Sequence, residues 1–228
     1  GCTTVICTDK TGTLTQNEMT VTRMWVPGAD FSVTGVGYGP EGEIVSVEPL
    51  DQKYREDLKK LCIAGVLCSN ARLIAPDSKT AQWSILGDPT EAAILVAAKK
   101  LGVHYEEEAH KNPRIREFPF DSQRKCMSTL HLVGDNLICY LKGAPLAVLE
   151  LCTSVMSQGV QIQMNEEMRS QIVRMNDTYA EDGLRVLAIA QRVIPDDQNP
   201  ENPEEVEHDL TFLGLAAMMD PPRPEVAL

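Results

Sequence analysis

The stretch Thr4-Val5-Ile6-Cys7-Thr8 runs without a break into Asp9-Lys10-Thr11-Gly12-Thr13-Leu14-Thr15. The first part is β-branched and apolar, and reads as a buried strand ending in a polar loop. Asp9 thus stands at the C-terminal end of a strand, facing small residues whose N–H groups can hold phosphate oxygens. A carboxylate so placed can attack a γ-phosphate and form an aspartyl-phosphate. Lys10 adds positive charge nearby, Thr11 and Thr13 offer hydroxyls, and Gly12 lets the backbone approach closely. A plain Asx turn after a strand would account for an isolated Asp-Lys, but not for the whole heptapeptide.

Outward from this loop, β-like runs and helical patterns follow one another in clusters. Met19 to Val26 and Phe31 to Val36 read as strands, followed by a break at Gly37, Gly39, Pro40 and Gly42. From Asp51 to Ala71, Leu58, Leu61, Cys62, Val66 and Leu67 fall on one helical stripe. Ala81 to Leu86 reads as a short strand. Asp88-Pro89-Thr90-Glu91 then has the pattern of a helix start, with Asp at the cap and Pro at the first position, and Gly102 stops that helix after about Leu101. Arg124 to Val133 and Asn136 to Lys142 flank Gly134-Asp135 as a hairpin. A short helix over Pro145 to Cys152, a longer one over Asn165 to Asp182, and strands over Leu184 to Val193 and Leu210 to Met218 complete the pattern. Strands mostly follow strands, so the expected class is α+β.

The 228 residues suffice for one large domain or one with a small appendage. A formal charge of −12 argues against a nucleic-acid face or attraction to an anionic membrane surface. No apolar run has the roughly 18 residues that a spanning helix needs, and Gly1-Cys2-Thr3-Thr4 does not resemble a signal peptide. The abrupt start inside a β-like run suggests a piece of a longer chain. The seven cysteines form no CxxC pair, and Cys126, Cys139 and Cys152 sit in apolar runs, so free thiols in a reducing cytosol are expected. His104, His110, His131 and His208 have no metal-ligand spacing.

Asp9 to Thr15 matches DKTGTLT, the signature of the P-type cation-transporting ATPases, and the chain is identified as resembling that family over its whole length. Gln16-Asn17-Glu18-Met19-Thr20-Val21 is similar to the sodium/potassium and calcium pump branches, and Asp220-Pro221-Pro222-Arg223 looks like the family's second hinge. The resemblance implies a twisted antiparallel sheet flanked by helices, with short segments of a Rossmann-like phosphorylation domain at both ends. Residues 1–24 would be a phosphorylation-domain strand, loop and first hinge, 25–215 the nucleotide-binding domain, and 216–228 the second hinge. Asp9 would be the phosphorylated nucleophile, assisted by Lys10 and Thr11. Asp9 and Thr11 would contribute to a Mg²⁺ site completed by residues outside this chain.

The resemblance also supplies a nucleotide site. Phe120, in Phe118-Pro119-Phe120-Asp121-Ser122-Gln123-Arg124-Lys125, matches the aromatic that stacks on adenine, and Lys125 matches the lysine near the nucleotide. Lys142-Gly143-Ala144-Pro145 resembles the family's KGAP motif. Here Lys142 ends an alternating strand and can emerge at a pocket rim, and Gly143 leaves room for a planar base. In Gly87-Asp88-Pro89-Thr90-Glu91, Glu91 would contact the adenine amino group, with Thr90 a weaker candidate; a capping box would compete for the same carboxylate, although Asp88 alone can serve as the cap. Arg185 in Gly183-Leu184-Arg185 would reach the phosphates. Ser122 stands where calcium pumps often carry a basic residue, and the His-Pro dipeptide of the heavy-metal branch is missing.

The expectation is therefore an ATP-binding domain of a cation pump, cytoplasmic and attached to an integral membrane protein. It would use ATP and Mg²⁺ and work with the transmembrane, actuator and remaining phosphorylation domains. The chain alone would be monomeric and would bind ATP without efficient turnover, since no GDGxND motif follows by Leu228. A haloacid-dehalogenase-type phosphohydrolase with an inserted cap is the alternative. Thr11 counts against it, because such enzymes place an acid there to protonate the leaving group. A catalytically silent interaction domain is a third reading.

Overall fold

The computed structural model describes residues 13–47, 51–78, 80–196, 198 and 200–223. Asp9, Lys10 and Thr11, and the strand expected before them, lie outside the described residues.

The framework is a ten-stranded, mostly antiparallel sheet. Its strands are β1 (Thr20–Val26), β2 (Ala29–Val33), β3 (Ile44–Ser46), and then β6 (Arg114–Asp121), β7 (Cys126–Val133), β8 (Asn136–Gly143), β9 (Cys152–Ser157), β10 (Val160–Gln163), β11 (Arg185–Ile194) and β12 (Leu210–Met219). The order along the sheet is β3-β2-β1-β12-β11-β8-β7-β6. A separate ribbon pairs β4 (Arg72–Ile74) with β5 (Ser84–Leu86). The α+β class and the antiparallel sheet flanked by helices are both borne out.

β12 is the spine. One of its edges pairs antiparallel with β11 from Thr211 to Met218. The other is shared: β9 pairs with it in parallel over Leu210 to Phe212, and β1 antiparallel over Leu215 to Met219. A bulge lies between these partners, where Ile189 faces Gly214 and Ala190 faces Phe212. A side chain on Gly214 would strike the Trp25 carbonyl and the Leu61 side chain, each at 2.2 Å, so the bulge requires glycine. The expected domain boundaries at 24/25 and 215/216 fall within β1 and β12, whose pairing runs across them.

Helices cover both faces. Asp51 caps α1 (Gln52–Leu67) by accepting from the Lys53 amide, and Asp88 caps α2 (Pro89–Lys100) by accepting from the Thr90 and Glu91 amides. Leu58, Leu61 and Leu67 of α1 and Ile94 of α2 meet Met24, Ile189, Leu213 and Met218 in one core. On the opposite face α4 (Pro145–Glu150) and α5 (Glu166–Glu181) deliver Val148, Leu149, Ile172 and Tyr179 to Trp25, Phe212 and Leu215. Fully burying each such side chain contributes roughly 1.5–3 kcal/mol. These two layers hold the strand ends rigidly enough to build a site on them.

Some elements differ from the sequence reading. β2 ends at Val33 rather than Val36, where the chain turns into the glycine-bearing loop. The strand expected from Ala81 begins at Ser84. β6, α3 (Tyr105–Lys111) and the β9–β10 hairpin were not expected. β6 carries Pro119, which is tolerated because β6 is an edge strand. β9 and β10 are joined by Gln158-Gly159, both at positive φ, the conformation of a tight two-residue hairpin turn. The five described cysteines are buried and unpaired.

Candidate functional site

One pocket of about 510 Å³ opens where β8, β11, the β6–β7 turn and the start of α2 converge. Thr90, Glu91, Phe120, Lys125, Lys142, Gly143 and Arg185, the residues singled out in the sequence, all line it. They come from four separate stretches of chain. Met127, Ala144, Val186, Leu187 and Asp88 complete the lining and were not singled out. Each lies within two residues of one that was singled out (Thr90, Lys125, Gly143 or Arg185), and that closeness was the available signal.

Phe120 projects from β6 with 65% of its surface exposed, an unusual position for a phenylalanine. A register shift between Phe118 and Asp121 turns it out of the strand pattern. Asp121 then organises the turn. Its Oδ1 accepts from the Gln123 and Arg124 amides, each at 2.9 Å, and its carbonyl accepts from the Lys125 amide at 2.7 Å. These bonds to the charged form hold its carboxyl below the usual range, led by the one from Arg124. Lys125 adopts a left-handed backbone, φ 56°, rare for a residue with a side chain. It is exposed, as is Arg185, and neither has an ion-pair partner among the described residues.

Lys142 is different. The sequence reading placed its ammonium at the rim, but it is buried, with 6% of its surface exposed. Its Nζ donates to Glu91 Oε1 at 2.7 Å, to Ser69 Oγ at 3.1 Å and to the Cys68 carbonyl. The physical reason is α1, whose C-terminal carbonyls lack helical partners and attract a cation. Glu91 Oε2 accepts from the Asn70 and Ala71 amides at 2.7 and 2.9 Å. Its carboxylate therefore does not reach back as a capping box, and Asp88 alone caps α2. One acceptor position on Oε1 remains for a ligand donor.

Gly143 also has a packing reason for being glycine. A Cβ there would lie 2.5 Å from the Lys125 carbonyl oxygen and 2.6 Å from the Cys126 Cβ. Its missing side chain admits the neighbouring strand, and the Ala144 amide then donates to the Lys125 carbonyl at 2.9 Å.

The arrangement offers an exposed aromatic plane, an apolar floor from Met127, Val186 and Leu187, one carboxylate, and two uncommitted cations toward the open side. A flat heteroaromatic carrying an anionic tail fits these features. A second cavity of about 490 Å³ adjoins it, sharing Asp88, Thr90 and Arg185. It extends to Thr15, Asn17 and Asp220. There the entering and leaving chains are stitched together. Thr15 Oγ1 donates to Asp220 Oδ2 at 2.5 Å, the Gln16 amide to the Pro221 carbonyl at 3.0 Å, and Arg223 Nε to the Thr15 carbonyl at 3.1 Å. Among the described residues no group of three or more His, Cys, Asp or Glu is placed to hold a metal, and no helix is long and apolar enough to cross a membrane.

Comparison with known proteins gives a consistent set of relatives. A family model described as P-type ATPase, cytoplasmic domain N, matches residues 57–225. The chain is 36% identical over 231 residues to the cation-transporting ATPase pma1 of Synechocystis, covering 99% of this chain and 25% of that protein. It is 36% identical to a calcium-transporting ATPase of Bacillus subtilis, again covering 99% of this chain and 25% of the relative. Against the calcium-transporting ATPase type 2C member 1 of Bos taurus it is 35% identical, covering 98% and 22%. The chain thus spans about a quarter of the length of the relatives it matches.

Proposed function

We propose that this chain, which belongs to the P-type cation-transporting ATPases as their cytoplasmic domain N, is the ATP-binding part of a pump that moves a cation across a membrane. The observation that carries the ATP reading is the convergence of Thr90, Glu91, Phe120, Lys125, Lys142, Gly143 and Arg185 on one pocket. Adenine stacks on Phe120 over the apolar floor. Glu91 accepts from its amino group, with Lys142 holding that carboxylate in place. Lys125 and Arg185 meet the phosphates, and Arg185 directs them toward the second cavity and the paired chain ends. Supporting this is the contrast between the paired, buried Lys142 and the two cations without ion-pair partners among the described residues.

In the whole pump, Asp9 is the phosphoryl acceptor, with Lys10 and Thr11 beside it. Mg²⁺, when bound, neutralises charge on the transferring group. The hinge lies where Thr15 and Pro222 form an isolated bridge. The domain faces the cytoplasm, and the chain alone is monomeric and binds ATP without efficient turnover. Calcium is the proposed ion, because relatives from Bacillus subtilis and Bos taurus are named calcium-transporting.

The test is calorimetric titration with ATP. Phe120→Ala is expected to weaken binding about ten-fold or more, from the roughly 1–3 kcal/mol of base stacking. Lys125→Ala should weaken ATP more than adenosine. No binding to the unaltered chain at saturating ATP would overturn the reading.

A further inference from the structure

We propose that Arg124 and Glu207 are positioning residues for the pocket, holding from behind the turn that presents Phe120 and Lys125. This rests on the reading of the pocket as a nucleotide site.

Glu207 precedes β12 and has only 7% of its surface exposed. A carboxylate is seldom so buried without strong partners. Every partner of its carboxylate among the described hydrogen bonds belongs to the β6–β7 unit. Arg124 Nη1 donates to both of its oxygens, Ser128 Oγ donates to Oε1 at 2.7 Å, and the Cys126 thiol lies 3.7 Å from Oε2. Arg124 uses its other arm elsewhere: Nη2 donates to the Pro119 carbonyl at 2.8 Å. Pro119 immediately precedes Phe120, and Arg124 immediately precedes Lys125. The guanidinium therefore ties both ends of the turn, at residues 119 and 124, to one carboxylate 83 positions away in sequence.

Neither Arg124 nor Glu207 lines the pocket that holds Phe120 and Lys125; both face the cavity behind it. They can act on a ligand only through the turn. The turn needs such support. Phe120 is an apolar ring left in water, which a free loop would fold away. Lys125 holds a left-handed backbone that its neighbours must over-determine. Asp121 ends β6 and sets the local hydrogen bonds, but those bonds all stay within residues 121–125 and do not tie the turn to β12. The fork of an arginine suits this task, because it reaches Glu207 and the Pro119 carbonyl with two different nitrogens, whereas a lysine would have to bring a single nitrogen within reach of both.

The experiment uses the full 228-residue chain with Glu207→Gln and Arg124→Lys. Without ligand, the backbone amide resonances of residues 120 to 125 are expected to move, while those of the β9–β10 hairpin stay in place. ATP affinity, read by calorimetry, should fall about ten-fold, the size of one misplaced contact group. Repeated on a Phe120→Ala, Lys125→Ala background, the loss should shrink to less than about two-fold, because the groups being positioned are gone. An equal loss on that background would show a general effect on the fold and overturn the proposal, as would unchanged amides in the free protein. If Glu207→Gln does not fold, Arg124→Lys carries the same comparison. Failure of the unaltered chain to bind ATP would instead sink the nucleotide reading, and the ligand-free spectra would then decide the positioning role alone.

Discussion

Lys142 and Lys125 stand on the same pocket, yet only Lys142 is sealed from water. Its ammonium is shared among Glu91, Ser69 and the end of α1. Removing it strands the Glu91 carboxylate and the Cys68 carbonyl without their cation. Lys142→Ala is therefore expected to cost about 3 kcal/mol of stability, the penalty for breaking a buried pair. Lys125→Ala should stay within about 0.5 kcal/mol, as surface substitutions do. Urea unfolding of the two variants measures the difference; equal losses would contradict it. The identity of both lysines was legible from short motifs, but their different environments were not. Lys142 finds its carbonyl partner 74 positions away, and a strand pattern shows where a strand ends, not which helix end lies opposite. For the same reason Glu91 was legible as a site residue while its grip on Asn70 and Ala71 was not.

Where β8 ends, Gly143 lets β7 and the start of α4 close on each other. Gly143→Ala would drive a methyl group against the Lys125 carbonyl, which the Ala144 amide holds, and against Cys126, which pairs with residue 143 in the sheet, so neither can move cheaply. The expected loss is about 1–3 kcal/mol, as for other overpacked sites. Thermal unfolding measures it, and loss of exchange protection at the Ala144 amide would locate the damage. The elements that the sequence displayed clearly were those with a strong period and a marked cap: α1 behind Asp51, α2 behind Asp88, and the hairpin around Gly134-Asp135. Those it concealed lacked one or the other. α3 buries no residue, so its three consecutive glutamates show no stripe. β10 is exposed throughout, and only the Gln158-Gly159 turn marked it. β6 alternates poorly because it carries a proline and lies at the sheet's edge.

Across the molecule as a whole, acid should weaken the fold in a window set by His131. Its Nδ1–H donates to the Asn112 carbonyl at 2.9 Å. Burial lowers its pKa, an effect that this bond and its backbone partners offset only in part. The unfolded chain takes up a proton near pH 6.5, while the folded chain resists doing so. This contribution to stability is thus fully present above about pH 6.5 and is lost as the pH falls toward the lower folded value. His131→Gln should flatten the decline in unfolding midpoint between pH 7.5 and 5.5, and an unchanged slope would exclude His131 as its cause. The antiparallel class was legible from strands following strands, but the connectivity was not. Nothing local announces that β12 will meet β1, some 190 residues earlier, or that β9 will join it in parallel, because those pairings are settled by which apolar faces the helices cover. The same connectivity leaves the chain's way in and way out side by side, bridged at Thr15 and Pro222. A short linker across that gap would turn the described unit into a closed ring. A cut at the exposed tip between Gly134 and Asp135 would then give a circular permutant with every strand pairing intact. The unit's folding information therefore has no preferred first residue, and its sheet could be grafted between two adjacent positions of another protein without separating them.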